Sequence, residues 1–230
     1  MRRRYVILNI LIIHNLIMKV PIILILFFAA AVQANPALDD LVSRLQNKYD
    51  SLEALKASFT QSYQSKRFSD RIIEKGIVYF QKGGLMRWEY QQPEKKIFVC
   101  DGNHYFFYVV EDRQVIKADA SGEDQRSPAL FLAGRGNFVK DFRAEWADQR
   151  QGSHLIKLIP VQPQPDFMYL IVDVDPVGGL ILRLLVVDVY ENRTEYTFQQ
   201  IQENPRLPSG FFAFEPPKGT EVLYQRGEAE

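Results

Sequence analysis

Side chains that commonly carry catalysis or bind metals are few in this sequence. The chain has 230 residues with three histidines and one cysteine, Cys100, so an internal disulfide and a cysteine-based zinc or iron–sulfur site are excluded. His104 follows the turn signal Asp101-Gly102, and His154 follows Gly152-Ser153, which are positions typical of turn edges. The sequence has no nucleophile elbow, phosphate-binding loop, HExxH helix or dinucleotide fingerprint. We therefore expect no enzyme, no cofactor and no metal.

Charged residues at alternate positions also have structural explanations. Asp173 and Asp175 would share one strand face, as metal ligands do, but a proline follows them, and a solvated strand end explains them more simply. Arg87 and Glu89 alternate on a strand, which predicts a cross-strand ion pair. A hydrolase or isomerase stays open as an alternative, with these candidate residues: Asp101, His104 and Glu89.

Charge separates the chain into two parts. The 28 Lys and Arg residues balance the 28 Asp and Glu residues, but residues 1–34 hold four bases and no acid. Residues 35–230 therefore carry a net charge of 24 − 28 = −4. A nucleic-acid-binding domain usually has a basic excess, so we expect no nucleic-acid partner. The hydrophobic fraction of 47% excludes a wholly disordered chain.

The N-terminus has the pattern of a secretory signal. An apolar run, residues 20–31, is followed by the cleavage motif Val32-Gln33-Ala34. Met18-Lys19 would itself be a normal start, so residues 1–17 are an upstream extension or a misassigned start. An uncleaved membrane anchor over Tyr5–Ala34 is the alternative. We expect residues 1–34 to be removed and residues 35–230 to form a single soluble domain in the periplasm, where a lone cysteine is typically buried.

The remaining pattern predicts a mainly β protein of the α+β class. An amphipathic helix begins at Asn35-Pro36, and a short helix, Pro128–Gly134, interrupts the strands later. Alternation and turn signals predict about eleven strands. They are Lys56–Gln64, Arg71–Gln81, Leu85–Gln91, Lys96–Cys100, Tyr105–Glu111, Gln114–Ala118, Phe142–Gln149, Leu155–Val161, Phe167–Val174, Leu180–Tyr190 and Thr194–Gln202. Short connections indicate antiparallel pairing and a barrel or strongly curved sheet.

Two of these strands are apolar on both faces. Tyr105–Val110 is one, and Leu180–Val189 is the other, broken only by Arg183 and Asp188. A sheet with one solvated face should alternate apolar and polar residues. Two explanations stay open: a thick core covered by the helices, or an apolar ligand cavity with a helical cover.

Several segments, in order along the chain, resemble one known family. They are Leu52–Gln61, Gly76–Phe80, Leu85–Tyr90, Gln92-Pro93, Val99–Gly102, Pro128–Gly134 and Phe212–Val222. Together they are similar to the LolA family of periplasmic outer-membrane lipoprotein carriers. The resemblance covers essentially all of residues 35–230.

The resemblance implies a fold, a function and partners. The fold would be an unclosed, strongly curved antiparallel barrel with an N-terminal helix and a short lid helix. A monomer would bind the acyl chains of lipoproteins and carry them from an inner-membrane ABC-type releasing complex to an outer-membrane acceptor. A related lipid or glycolipid carrier, or an envelope-stress lipoprotein sensor, is the alternative.

The resemblance also implies candidate site residues. The acyl-chain site would comprise Met86, Trp88, Tyr90, Phe107, Leu130 and Phe131. Met86 would lie at the cavity mouth, and Lys82 stands where the family has an arginine that latches the lid. Lysine donates hydrogen bonds but lacks the planar fork of arginine.

We predict that the exported protein begins at Asn35, because the cleavage motif follows an apolar run of signal length. N-terminal sequencing of the exported protein tests this. A product that keeps Met18–Ala34 and stays with membranes would contradict it.

Overall fold

The computed structural model describes residues 36–68, 70–120, 132–133, 136–147 and 154–225. Within them it has one α-helix and twelve strands, and residues 35–230 form one compact unit. The elements are α1 Pro36–Ser51, β1 Ala54–Gln64, β2 Arg71–Gln81, β3 Leu85–Gln92, β4 Lys96–Cys100, β5 His104–Val109, β6 Gln114–Asp119, β7 Phe142–Trp146, β8 Leu155–Pro160, β9 Tyr169–Val174, β10 Ile181–Val187, β11 Arg193–Glu203 and β12 Glu221–Gln225.

All twelve strands belong to one sheet. Its order is β12-β6-β5-β4-β3-β2-β1-β11-β10-β9-β8-β7, so β12 and β7 are its two edges and the sheet is not closed. Every pair is antiparallel except β12 with β6, which is parallel. The mainly β fold with an unclosed curved sheet is confirmed, with a twelfth strand that the sequence pattern did not indicate.

Ring contacts show how strongly the sheet curls. The strands β3 and β11 are separated by β2 and β1, so in a flat sheet they would lie about 14 Å apart. The ring centroids of Trp88 on β3 and Tyr196 on β11 are only 5.3 Å apart. The two strands must therefore bend toward each other around a concave face.

The helix α1 lies against this concave face. Its apolar residues are at most 6% exposed and belong to the main core: Leu38, Leu41, Val42, Leu45 and Tyr49. The backbone N–H of Phe138 donates to the Gln46 Oε1 atom at 2.7 Å, and the N–H of Ile181 donates to the Tyr49 hydroxyl at 3.4 Å. These two bonds attach the helix to the β7 and β10 sides of the sheet.

The C-terminal segment, residues 211–214, covers the convex face of the sheet, which is the face turned away from α1, at strands β2 and β5. Phe214 lies 5.3 Å from Phe106 and 6.0 Å from Tyr108, measured between ring centroids. Phe211 lies 4.7 Å from Tyr79 in the same way. The strand Tyr105–Val110 is thus apolar on both faces because this segment, and not a helix, covers its outer side.

Several sequence predictions have definite outcomes. The predicted bounds of β2 and β4 are those observed, and Cys100 is fully buried, as expected. The Arg87–Glu89 ion pair, at 2.6 Å, joins two residues of one strand, so the predicted cross-strand pair is wrong. The lid helix falls mostly on residues outside those described, which include only Leu132 and Ala133 of it.

One further observation bears on membranes. In the described part of the chain, the only helix falls short of the length and apolarity that a bilayer span requires.

We predict that Gly76→Ala lowers the free energy of unfolding by about 1–3 kcal/mol, the usual range for overpacking. A Cβ atom at Gly76 would meet the Glu89 carbonyl oxygen at 2.1 Å and the Phe59 Cε1 atom at 2.9 Å. Replacing a strand glycine at an unstrained site would instead stabilise the protein. Denaturant unfolding measures the sign, and a stabilised variant would contradict this close approach.

Candidate functional site

A continuous row of apolar side chains crosses the concave face from β1 to β12. Strand register places its members side by side: Ala57, Val78, Trp88, Phe98, Phe107, Ile116 and Leu223. We call these seven residues the apolar row. Its exposure rises along the row, from 0% at Val78 through half-buried Phe107 to 41% at Leu223. We call β4, β5, β6 and β12 the open wing. The row residues on the open wing are partly exposed to solvent, whereas those on β1–β3 are buried.

Aromatic rings fill the deep end of the row. Trp88 is 4% exposed, and its ring contacts others edge-on or tilted, as aromatic pairs prefer. The ring centroids around it lie at 4.9 Å for Phe59, 5.6 Å for Phe80 and 6.4 Å for Phe198. This cluster gives the concave face a rigid apolar floor.

Met86 lies in this floor and not at a cavity mouth. It is 1% exposed, sits beside Phe80 and Cys100 in strand register, and belongs to the main core. The expectation of a rim position for Met86 is therefore corrected. The half-buried residues of the open wing, such as Phe107 and Ile116, take the accessible positions.

The turn between β2 and β3 contacts both the C-terminal end of α1 and residue Ala133. The Lys82 Nζ atom donates to the Asp50 carbonyl oxygen at 3.0 Å and lies 3.4 Å from the Glu53 carboxylate, at the end of α1. The Gly84 N–H donates to the Ala133 carbonyl oxygen at 3.2 Å. Lys82 thus binds the helix end, while a backbone group holds the described part of the lid.

A shallow pocket lies between the helix end, the turn and the lid. It is lined by Tyr49, Leu55, Phe80, Lys82, Leu132 and Ala133. Its free volume is about 10 Å³, which is room for roughly one water molecule. The pocket is therefore too small for a larger molecule while the helix end, Leu132 and Ala133 keep these positions.

A polar network borders the apolar row on four adjacent strands. The Tyr90 hydroxyl donates to the Gln61 Oε1 atom at 2.9 Å, and the Gln61 Nε2 atom donates to the Glu74 Oε2 atom at 3.0 Å. The Lys96 Nζ atom donates to the Glu74 Oε1 atom at 2.7 Å. We call Gln61, Glu74, Tyr90 and Lys96 the polar network. Its carboxylate lies on a residue that is 9% exposed.

Burial changes the acidity of the tyrosines in the concave face. Desolvation, and secondly the charge of Glu74, raises the pKa of Tyr196 from 10.0 to about 12. Burial is also the largest cause that raises the pKa of Tyr90 and of Tyr49. All three phenols therefore stay protonated over the neutral range. The Tyr90 hydroxyl gives its single proton to Gln61.

Two aspartates that the sequence offered for chemistry, Asp101 for catalysis and Asp175 for a metal, have structural roles. Asp101 accepts hydrogen bonds from the backbone N–H groups of Asn103 and His104, and Asp175 accepts them from Val177 and Gly178. Both aspartates therefore stabilise turns. In the described ranges no three His, Cys, Asp or Glu residues come together as a metal site.

The other predicted site residues divide between two outcomes. Trp88, Phe107 and half-buried Tyr90 lie on the concave face, the first two in the apolar row. Leu130 and Phe131 lie outside the described residues. The sequence pattern missed the polar network, because the pairing of Glu74, Tyr90 and Lys96 depends on strand register across a bulge.

Comparison with known proteins identifies the family. Residues 50–215 match the family described as "Outer membrane lipoprotein carrier protein LolA". This chain belongs to the LolA family. Its relatives include an outer-membrane lipoprotein carrier protein from Neisseria meningitidis serogroup C, 27% identical over 91% of this chain and 97% of the relative. Another, from Methylococcus capsulatus, is 28% identical over 85% of this chain and 91% of the relative.

A solved structure shares the architecture of this LolA-family chain. An uncharacterised conserved protein from Thermus thermophilus has 14% sequence identity and a TM-score of 0.50, over 81% of this chain and 98% of that one. At this identity the likeness concerns the fold alone.

We predict that stability falls as the pH rises from about 10 toward 12. The unfolded phenols ionise near pH 10, whereas the buried phenols of Tyr49, Tyr90 and Tyr196 have raised pKa values. The stabilisation is fully present below the unfolded pKa and is lost above it. Circular dichroism and phenolate absorbance, recorded together, test this. Complete tyrosine ionisation with an intact circular dichroism spectrum would contradict it.

We predict that Met86→Ala lowers the free energy of unfolding by about 2–5 kcal/mol, because it empties a packed core site. Met86→Glu should be more damaging, since a carboxylate at a 1% exposed site is desolvated. Thermal denaturation measures both. If the melting temperature of the Met86→Glu protein were unchanged, position 86 would have to be accessible to water, and its assignment to the core would be wrong.

Proposed function

We propose that this protein is a periplasmic carrier that binds the acyl chains of lipoproteins on its concave face and takes them from the inner to the outer membrane. The observation that carries this proposal is the apolar row, which runs from a packed aromatic floor to half-exposed residues on an open wing. Family membership and relatives named outer-membrane lipoprotein carrier proteins support the same role.

The exposed end of the row offers the first contact for an acyl chain. Phe98, Phe107 and Ile116 are half-buried neighbours on adjacent strands. Burial of an acyl chain contributes about 0.8 kcal/mol for each CH₂ group. A chain lying along these residues would be held without any change in the packed part of the sheet.

The packed end of the row limits how tightly cargo is held. The pocket between the helix end, the β2–β3 turn and Leu132-Ala133 has about 10 Å³ of free volume, so an acyl chain that entered there would displace these groups from their contacts. The lost packing offsets part of the gain from acyl burial. A carrier needs this balance, because full burial of three chains without such a cost would exceed the tightest affinities known, near 18–21 kcal/mol.

The proposal includes the partners and excludes catalysis. An inner-membrane ABC-type releasing complex would supply acylated lipoproteins, and an outer-membrane acceptor would receive them. The carrier would act as a monomer, without a cofactor, a nucleic acid or a chemical reaction. Transfer would then proceed down a series of affinities.

Phe107→Glu tests the proposed acyl site. Phe107 is half-buried on the open wing, so its replacement can reach water and the fold should survive, while the charge opposes acyl chains. We expect release of lipoproteins from inner-membrane vesicles to fall at least about tenfold, the effect of 1.4 kcal/mol. The matched control is Ile73→Glu, at a 49% exposed position on the opposite face of β2.

Mass spectrometry of lipids that co-purify with the parent protein completes the test. Triacylated lipoprotein supports the carrier. Free glycolipid would favour the related glycolipid carrier instead. In the release assay, a Phe107→Glu protein that releases lipoproteins normally would show that the apolar row is not the acyl site.

A further inference from the structure

The polar network lies directly beside the apolar row, where packing of apolar side chains alone would not require charged groups. Tyr90 and Trp88 are consecutive concave residues of β3, and Lys96 and Phe98 are consecutive concave residues of β4. The network therefore borders the apolar row at the point where the row passes from buried to half-exposed. A chain lying in the row would have its polar end within reach of these groups.

The Lys96–Glu74 ion pair is largely withdrawn from water. The Lys96 and Glu74 side chains are 22% and 11% exposed, so both charges are largely desolvated. For such buried pairs the desolvation penalty can exceed the Coulombic gain, and apolar replacements of similar volume are often neutral or stabilising. Folding therefore does not by itself require a charged pair at this position.

Hydrogen-bond capacity also points to a ligand. The Lys96 ammonium has three donors, of which one is used by Glu74 and a second is directed by Glu94, whose carboxylate lies 3.6 Å away. Within the described residues these two carboxylates are the acidic partners of the ammonium, and its third donor can reach a ligand oxygen or water. Glu74, itself held by Gln61, fixes the ammonium at the border of the apolar row.

We propose that Lys96, positioned by Glu74, is a binding site for the ester and amide carbonyl oxygens at the head of an acylated lipoprotein. This inference rests on the proposed function and deepens it. Carbonyl oxygens are hydrogen-bond acceptors placed where the acyl chains join the peptide, at the junction that the network faces. Ligand cavities commonly use a few polar groups in this way to orient an apolar molecule.

The consequence is selectivity. Apolar surface alone accepts any acyl chain, whereas the network distinguishes chains that bring carbonyl oxygens to this depth from chains that do not. A hydrogen bond to a charged group is worth about 1.5–3 kcal/mol, which is about a tenfold to hundredfold difference in affinity.

The experiment compares two labelled peptides by fluorescence anisotropy. One carries a triacylated N-terminal cysteine, and the other has its two ester carbonyls replaced by ether methylenes. We expect the parent protein to bind the ester peptide about tenfold to a hundredfold more tightly. The double variant Glu74→Met/Lys96→Met should keep its melting temperature and bind both peptides equally.

Two further variants separate recognition from folding. Lys96→Arg keeps the cation and should keep the ester preference. The control Arg87→Met/Glu89→Met removes the ion pair from the convex face of β3 and should also keep it.

Two results would overturn the inference: a parent protein without ester preference, or a folded Glu74→Met/Lys96→Met protein that retains the preference. A parent protein that binds neither peptide would overturn the proposed function itself.

Discussion

The apolar concave face of the curled sheet is the constraint on which the rest of the structure depends. Because Trp88 and Tyr196 meet across the curl, the inner faces of many strands converge on one space that must exclude water. The amphipathic helix α1 fills this space on one side, and Leu132 and Ala133 close it near the helix end. On strands β4–β6 these elements leave the apolar residues Phe98, Phe107 and Ile116 half-buried.

Support for the open wing comes from its outer side. An apolar surface without cover tends to collapse, but the C-terminal segment packs Phe211 and Phe214 on the convex face and β12 pairs with β6. Backed in this way, Phe107 and Ile116 can stay half-exposed on a rigid strand pair. The strands β7 and β12 are the two edges of the sheet and do not pair with each other. The width of the sheet is therefore not fixed by closure into a barrel.

The two faces of the sheet each carry an ion pair. The Arg87–Glu89 pair lies on the convex face, where the Arg87 guanidinium is 5.5 Å from the Phe211 ring and helps to hold the C-terminal segment. Lys96 and Glu74 lie on the concave face instead. The neighbouring strands β2, β3 and β4 thus carry two ion pairs on opposite faces of the sheet, and the convex pair is the natural control for the concave one.

Local signals in the sequence determined the elements. Pro36 and the 3.6-residue spacing of leucines specify α1, and alternation with turn residues specifies nearly all of the antiparallel strands. The same pattern indicated a strongly curved sheet, and the family resemblance added the candidate acyl-site residues, among them Trp88 and Phe107. Local patterns sufficed here because helix capping, strand alternation and hairpin turns all act between residues close in the chain.

Only the tertiary structure decided which apolar residues are core and which are accessible. Met86 and Phe107 are both apolar in the sequence, but Met86 is 1% exposed in the main core and Phe107 is half-buried on β5. Likewise, β12 pairs with a strand about a hundred residues earlier, and the Glu74–Lys96 pair depends on register across a bulge. Such contacts join residues distant in the chain, so their partners are set by the curl of the sheet and not by any local pattern.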